Sequence, residues 1–224
     1  MIYTPSAGVE SWQNFLVDPV KQWKTGYSAK ALAYCWEQAD GFPREIEDLF
    51  NNWRTPAFDR LEPLLIFPEH KVSLPGGSKQ SQNDVFVLAS TSEGLLSIAV
   101  EGKVAESFGP TLGEWNTYTK GKTIRLKYLL AQLGLTVELD PSIRYQLLHR
   151  TASAVIEAKR FHATKAAMIV HSFSQESRWL EDYQAFVRLY GKEAGVGELV
   201  YVSQVDGVDL YLGWAKGSAR YLSV

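Results

Sequence analysis

The chain has 224 residues, 46% of them hydrophobic and 21% charged, with a formal net charge of -2. This balance suits a globular chain with one sizeable core, and it excludes a polycation that binds nucleic acid through bulk charge. Cys35 is the sole cysteine, which excludes an intrachain disulfide and a cysteine-rich zinc site and fits a reducing cytoplasm. No apolar run approaches membrane-spanning length, and the opening MIYTPSAGVESW lacks the basic and apolar regions of a secretory signal.

In chain order, residues 1–27 read as an N-terminal helical arm carrying Trp12, Phe15, Trp23 and Tyr27. Ser28 is expected to cap a helix running to about Gln38, with Leu32, Cys35 and Trp36 on its apolar stripe. Gly41 ends it and Pro43 starts another, whose first turns hold Glu45, Glu47 and Asp48. Acidic residues there complement the helix dipole, which is their ordinary use. Leu64–Phe67 and His70–Leu74 read as strand material, with Glu69 alongside, before the loop at Pro75-Gly76-Gly77-Ser78.

The segment from Ser81 to Lys103 organises the rest. Val85–Ala89 and Leu95–Val100 are strand-length runs rich in Val, Ile, Leu and Phe, joined by a tight turn at Ser92-Glu93-Gly94. With Glu93-Gly94 as the two-residue turn, Ser92 faces Leu95, Phe86 faces Glu101 and Asp84 faces Lys103. Opposed residues share a face, so Asp84, Glu101 and Lys103 are expected to converge, while a slip of one residue would separate them. Ser97 and Ala99 share that face, and Leu96, Ile98 and Val100 take the opposite, core face.

After a Gly- and Pro-rich loop, a helix is expected over Thr123–Leu133. Lys120, Lys122, Arg125 and Lys127 make this the most basic stretch, suited to phosphate or to a solvated helix face. Gly121-Lys122-Thr123 is not a P-loop, because residue 116 is Asn and no strand precedes it. Pro141 and Ser142 open a longer helix bearing Gln146, His149 and Arg150. Ala166–Phe173 reads as a buried strand reached by a helical crossover. Gln175–Tyr190 reads as a helix with Trp179, Tyr183, Phe186 and Val187 on one face. Glu198–Val205 and Val208–Trp214 form a closing hairpin about Asp206-Gly207. No linker suggests a domain boundary, so a single domain over 1–224 is expected.

Asp84 with Glu101-Gly102-Lys103 resembles the PD-(D/E)xK nuclease superfamily, in which an Asp opens one hairpin strand and (D/E)-x-K closes the next. Asn83 stands where many members have Pro. The runs VEGKVAESFGPTLGEW and RYQLLHRTASAVIEAKRF, with LYLGW, also look like a family of uncharacterised bacterial proteins placed in that fold. The resemblance implies an α/β (α+β) restriction-endonuclease-like core: a central mixed β-sheet flanked by helices. It implies a Mg2+- or Mn2+-dependent nuclease in which Asp84 and Glu101 hold the metal and Lys103 positions or activates water. It further implies Glu45, with Glu47 behind it, as an added acidic ligand. Gln146, His149 and Arg150 are implied near the site, and Lys122 and Arg125 are the basic residues offered to phosphate. DNA is the expected partner, a homodimer is compatible with the reading, and no membrane is involved. The alternative is a non-catalytic module that binds nucleic acid or protein on the same scaffold.

Overall fold

The computed structural model describes residues 6–53, 55–116 and 118–224, so residues 1–5 of the expected arm lie outside the described residues. The rest of that arm forms a 3-10 turn, Val9–Phe15, and a short helix, α1 (Pro19–Gln22). Trp12 is buried and donates to Glu37 at 2.7 Å, pinning the arm to the next helix.

Two helices follow, α2 (Ser28–Ala39) and α3 (Arg44–Asn51). Tyr27, not Ser28, is the N-cap residue. Ser28 instead offers its amide and hydroxyl to Glu106, at 2.8 and 3.0 Å. Pro43 fixes the start of α3, and Ile46, Leu49 and Phe50 form its buried stripe.

The sheet has six strands: β1 (Glu62–Val72), β2 (Ser81–Thr91), β3 (Gly94–Lys103), β4 (Lys165–Ser172), β5 (Leu199–Val205) and β6 (Val208–Lys216). Their order is β1-β2-β3-β4-β6-β5. The β3–β4 and β4–β6 pairs are parallel and the other three are antiparallel. A parallel neighbour needs a crossover. Between β3 and β4 run α4 (Leu112–Trp115), α5 (Lys120–Leu133) and α6 (Tyr145–Arg160); α7 (Leu180–Arg188) follows β4. The protein is a mixed α/β fold with its sheet flanked by helices.

Two cores sandwich the sheet. Ala99, Met168, Val170, Leu210 and Leu212 face α5, α6 and α7. Ile98, Val100, Ala167, Ile169 and Tyr211 face α2, α3 and the arm. Strand alternation assigns every residue of the central strands to one side or the other.

The β2–β3 turn is Ser92-Glu93, with Thr91 paired to Gly94 and Val85 to Val100. The expected register is therefore off by two residues. A two-residue shift preserves the period-2 alternation, so the face assignment stands even though each partner changes. Asp84 and Glu101 now lie one step beyond the Val85–Val100 pair.

Candidate active site at the ends of β2 and β3

Glu101 and Lys103 follow Ala99 in alternation and so face α6. Gly102 faces the other way. A Cβ there would sit 2.2 Å from Leu32 Cδ1, so the middle position of Glu101-Gly102-Lys103 is glycine because α2 packs against the strand. The Gly102 amide donates to Asp84 Oδ2 at 2.8 Å, tying the start of β2 to the end of β3.

Glu101 is 2% exposed and accepts from three side chains. Lys103 Nζ lies 2.6 Å from Oε1, Gln146 Nε2 donates to Oε1 at 2.7 Å, and Arg150 Nε donates to Oε2. Lys103 also donates to Gln146 Oε1 at 3.2 Å and lies over the Phe108 ring. Gln146 and Arg150 stand four residues apart on α6, which puts them on one helix face above the strand ends. Arg150 lies between the carboxylates, with Nη2 4.0 Å from Asp84 Oδ1.

Burial would raise the Glu101 carboxyl, but Arg150 and Lys103 outweigh it and hold it below the usual range. Asp84 is pushed up to about 7, by burial first and then by the Glu101 charge. Glu69, on β1, is raised well above the usual range by burial and by Asp84, and it accepts from Gln82 at 2.6 Å. Three crowded carboxylates thus face two cations, and the surplus acid is held back from ionising. Hard carboxylate oxygens are the donor chemistry of a Mg2+ or Mn2+ site, which needs only one or two of them.

The structure brings Asp84, Glu101, Lys103, Gln146 and Arg150 together. Glu69 joins them unforeseen. Its signal was pairing: Phe67 faces Phe86 and His70 faces Asn83, which sets Glu69 level with Asp84. That neighbour was legible only once the pairing of β1 with β2 was known. Glu69 also has φ 52, a left-handed value unusual within a strand.

Four expected site residues lie elsewhere. Glu45 belongs to α3 on the other side of the sheet, where it bonds His171 at 2.9 Å, so it does not join Asp84 and Glu101. Arg125 is 8% exposed and donates to the carbonyls of Leu74, Pro75 and Gly77, which makes it a loop clamp. Lys122 donates to the Trp115 carbonyl at 2.6 Å and lies over its ring. His149 is half-buried and turned to Ser81, with Nδ1 2.8 Å from Ser81 Oγ. Gly121, the glycine of the rejected P-loop, is explained by packing, since a Cβ there would meet Gly76 O at 2.5 Å.

The fold and this cluster define a mixed α/β protein with an acid-rich, cation-tempered site at adjacent strand ends. The chain belongs to the family described as a domain of unknown function, DUF6946, whose model matches residues 5–219. No curated protein and no solved structure matches it. Among the described residues, no helix is long and apolar enough to cross a membrane.

Proposed function

We propose that the protein is a divalent-metal-dependent nuclease with a restriction-endonuclease-like core, acting on phosphodiester bonds of DNA in the cytoplasm. The observation that carries this reading is the convergence of Asp84, Glu101 and Lys103 on one face of two adjacent strand ends, with excess acid from Glu69. Asp84 and Glu101, with Glu69 beside them, would hold Mg2+ or Mn2+. When bound, the ion supplies charge neutralisation on the phosphate and a more acidic water.

Lys103 is the group that orients the attacking water or stabilises charge developing on the phosphoryl oxygens. Gln146 holds both Lys103 and Glu101 and so fixes the direction of the ammonium. Arg150 neutralises Glu101, and its planar fork suits a phosphate oxygen. These groups act by position and charge.

A second reading rests on a specific feature. Glu101 has both oxygens satisfied by Lys103, Gln146 and Arg150, an arrangement that a purely structural ion pair would also adopt. That reading gives a binding module whose affinity falls with salt and which yields no product.

Labelled single- and double-stranded DNA, incubated with the purified chain and Mg2+ or Mn2+, separates the two. The proposal expects metal-dependent fragments with 5′-phosphate ends, and a rate loss on the order of 100- to 1000-fold in Lys103→Ala with folding retained. Salt-sensitive binding without fragments, or full cleavage by Lys103→Ala, overturns it.

A further inference from the structure

A separate group of ligating side chains lies on the opposite face of the sheet. Cys35 on α2, Glu45 on α3 and His171 on β4 each offer one ligating atom, and these atoms all lie within 4.8 Å of one another. Among the described residues no other three Cys, His, Asp or Glu side chains meet this closely. Glu45 Oε1 is the shared centre, 2.9 Å from His171 Nε2 and 3.7 Å from Cys35 Sγ.

The order of the three groups decides what they can do. Glu45 Oε1 is hydrogen-bonded to both the thiol and the imidazole, so each is engaged by the carboxylate. Burial, reinforced by the Glu45 charge, pushes the thiol up to about 12. An activated nucleophile needs the reverse.

We propose that Cys35, Glu45 and His171 form a binding site for a borderline-soft divalent cation, with Zn2+ the best match. Thiolate, imidazole and carboxylate are the zinc donor types, whereas Mg2+ takes oxygen ligands. Zinc bond lengths in a tetrahedron require a sulfur-to-oxygen edge of roughly 3.6 Å and a nitrogen-to-oxygen edge of roughly 3.4 Å. The first is close to the 3.7 Å found, and the second asks the Glu45–His171 contact to open from its hydrogen-bonded 2.9 Å. Charge matches as well. Thiolate and carboxylate carry two negative charges and the neutral imidazole none, so a divalent cation leaves the cluster neutral and releases the thiol proton.

Two further features favour a ligand. His171 is fully buried with the Phe173 ring 4.5 Å away, which limits the room its imidazole has to swing away from Glu45. A cavity of about 410 Å³ opens onto Cys35 and Glu45, and its wall is of mixed charge, with Glu47 and Asp48 beside Arg44 and Arg220. The cavity leaves room for water as a fourth ligand.

The test uses the full chain, stripped of metal by a chelator and titrated with Zn2+ and with Co2+ as its spectroscopic substitute. The proposal expects one tightly bound ion per chain and a sulfur-to-cobalt charge-transfer band in the near ultraviolet. Cys35→Ala should abolish the band and weaken Zn2+ binding by more than the 10- to 100-fold typical of losing an outer-shell partner. Glu45→Gln keeps a hydrogen-bonding group toward His171 and should also weaken binding, with an unchanged circular dichroism spectrum reporting the fold. Asp84→Asn, across the sheet, should leave the band intact. No band in the unaltered chain, a band that survives Cys35→Ala, or a band lost in Asp84→Asn each overturns the proposal.

Discussion

Gly102 and Leu32 meet on one face of the sheet: the bare α-carbon of the strand residue leaves just enough space for the leucine of α2. The two residues flanking Gly102 point into the candidate active site on the opposite face. Tight packing on one side of β3 therefore holds Glu101 and Lys103 on the other.

Gly102→Ala tests that coupling. The added Cβ would lie 2.2 Å from Leu32 Cδ1 and 2.9 Å from Cγ, and Leu32 is itself buried. Overpacking of this kind costs about 1–3 kcal/mol. The urea midpoint should fall accordingly, and Leu32→Ala in the same chain should recover part of the loss relative to additive costs. A neutral Gly102→Ala with Leu32 in place would show that the helix yields freely.

The ion pairs at Glu101 are unequal in their consequences. Lys103→Met leaves the carboxylate with Arg150 and Gln146. Glu101→Gln leaves two buried cations facing a neutral amide. Removing one partner of a buried pair costs about 3–5 kcal/mol, so Lys103→Met should fall near the low end and Glu101→Gln at or above the high end. Denaturant unfolding measures both, and the reverse ranking would contradict the assigned partnership.

His149 makes acid stability a direct readout. Burial, helped by Arg150, Arg125 and Lys103, pushes its ring well below the ordinary imidazole range. Ser81 Oγ at 2.8 Å and the Tyr145 ring at 4.8 Å are its nearest neutral contacts. The folded ring stays neutral while the unfolded one gains a proton below about pH 6.5, so the unfolded state binds more protons and stability falls as pH drops through that window. His149→Gln should flatten this part of the profile between about pH 7 and pH 5. Parallel profiles for the two chains would show that the ring charges freely when folded.

Arg125 is expected to act on the loop at 74–77. Its guanidinium holds three backbone carbonyls there, so Arg125→Met leaves them short of donors. Amide exchange in that loop and at the start of α5 should accelerate. DNA affinity should change little, because the side chain is buried in the clamp. A selective loss of DNA binding with unchanged exchange would return Arg125 to the phosphate-binding role that its charge suggested.

The local grammar is legible in the order of residues: apolar runs of strand length, the glycine and proline breaks, and the alternation that sets Asp84, Glu101 and Lys103 on a common face. That assignment survived a turn displaced by two residues because side-chain direction along a strand depends only on odd or even spacing. Helix spacing likewise placed Gln146 and Arg150 on one side of α6. Which side of the sheet each helix covers follows from long-range packing. It set Glu45 beside Cys35 and His171 instead of Asp84, drew Glu69 into the acidic cluster and turned Arg125 inward. Local periodicity fixes how residues of one element are arranged relative to each other. Which elements then meet depends on long-range burial and strand pairing, which no window of sequence contains.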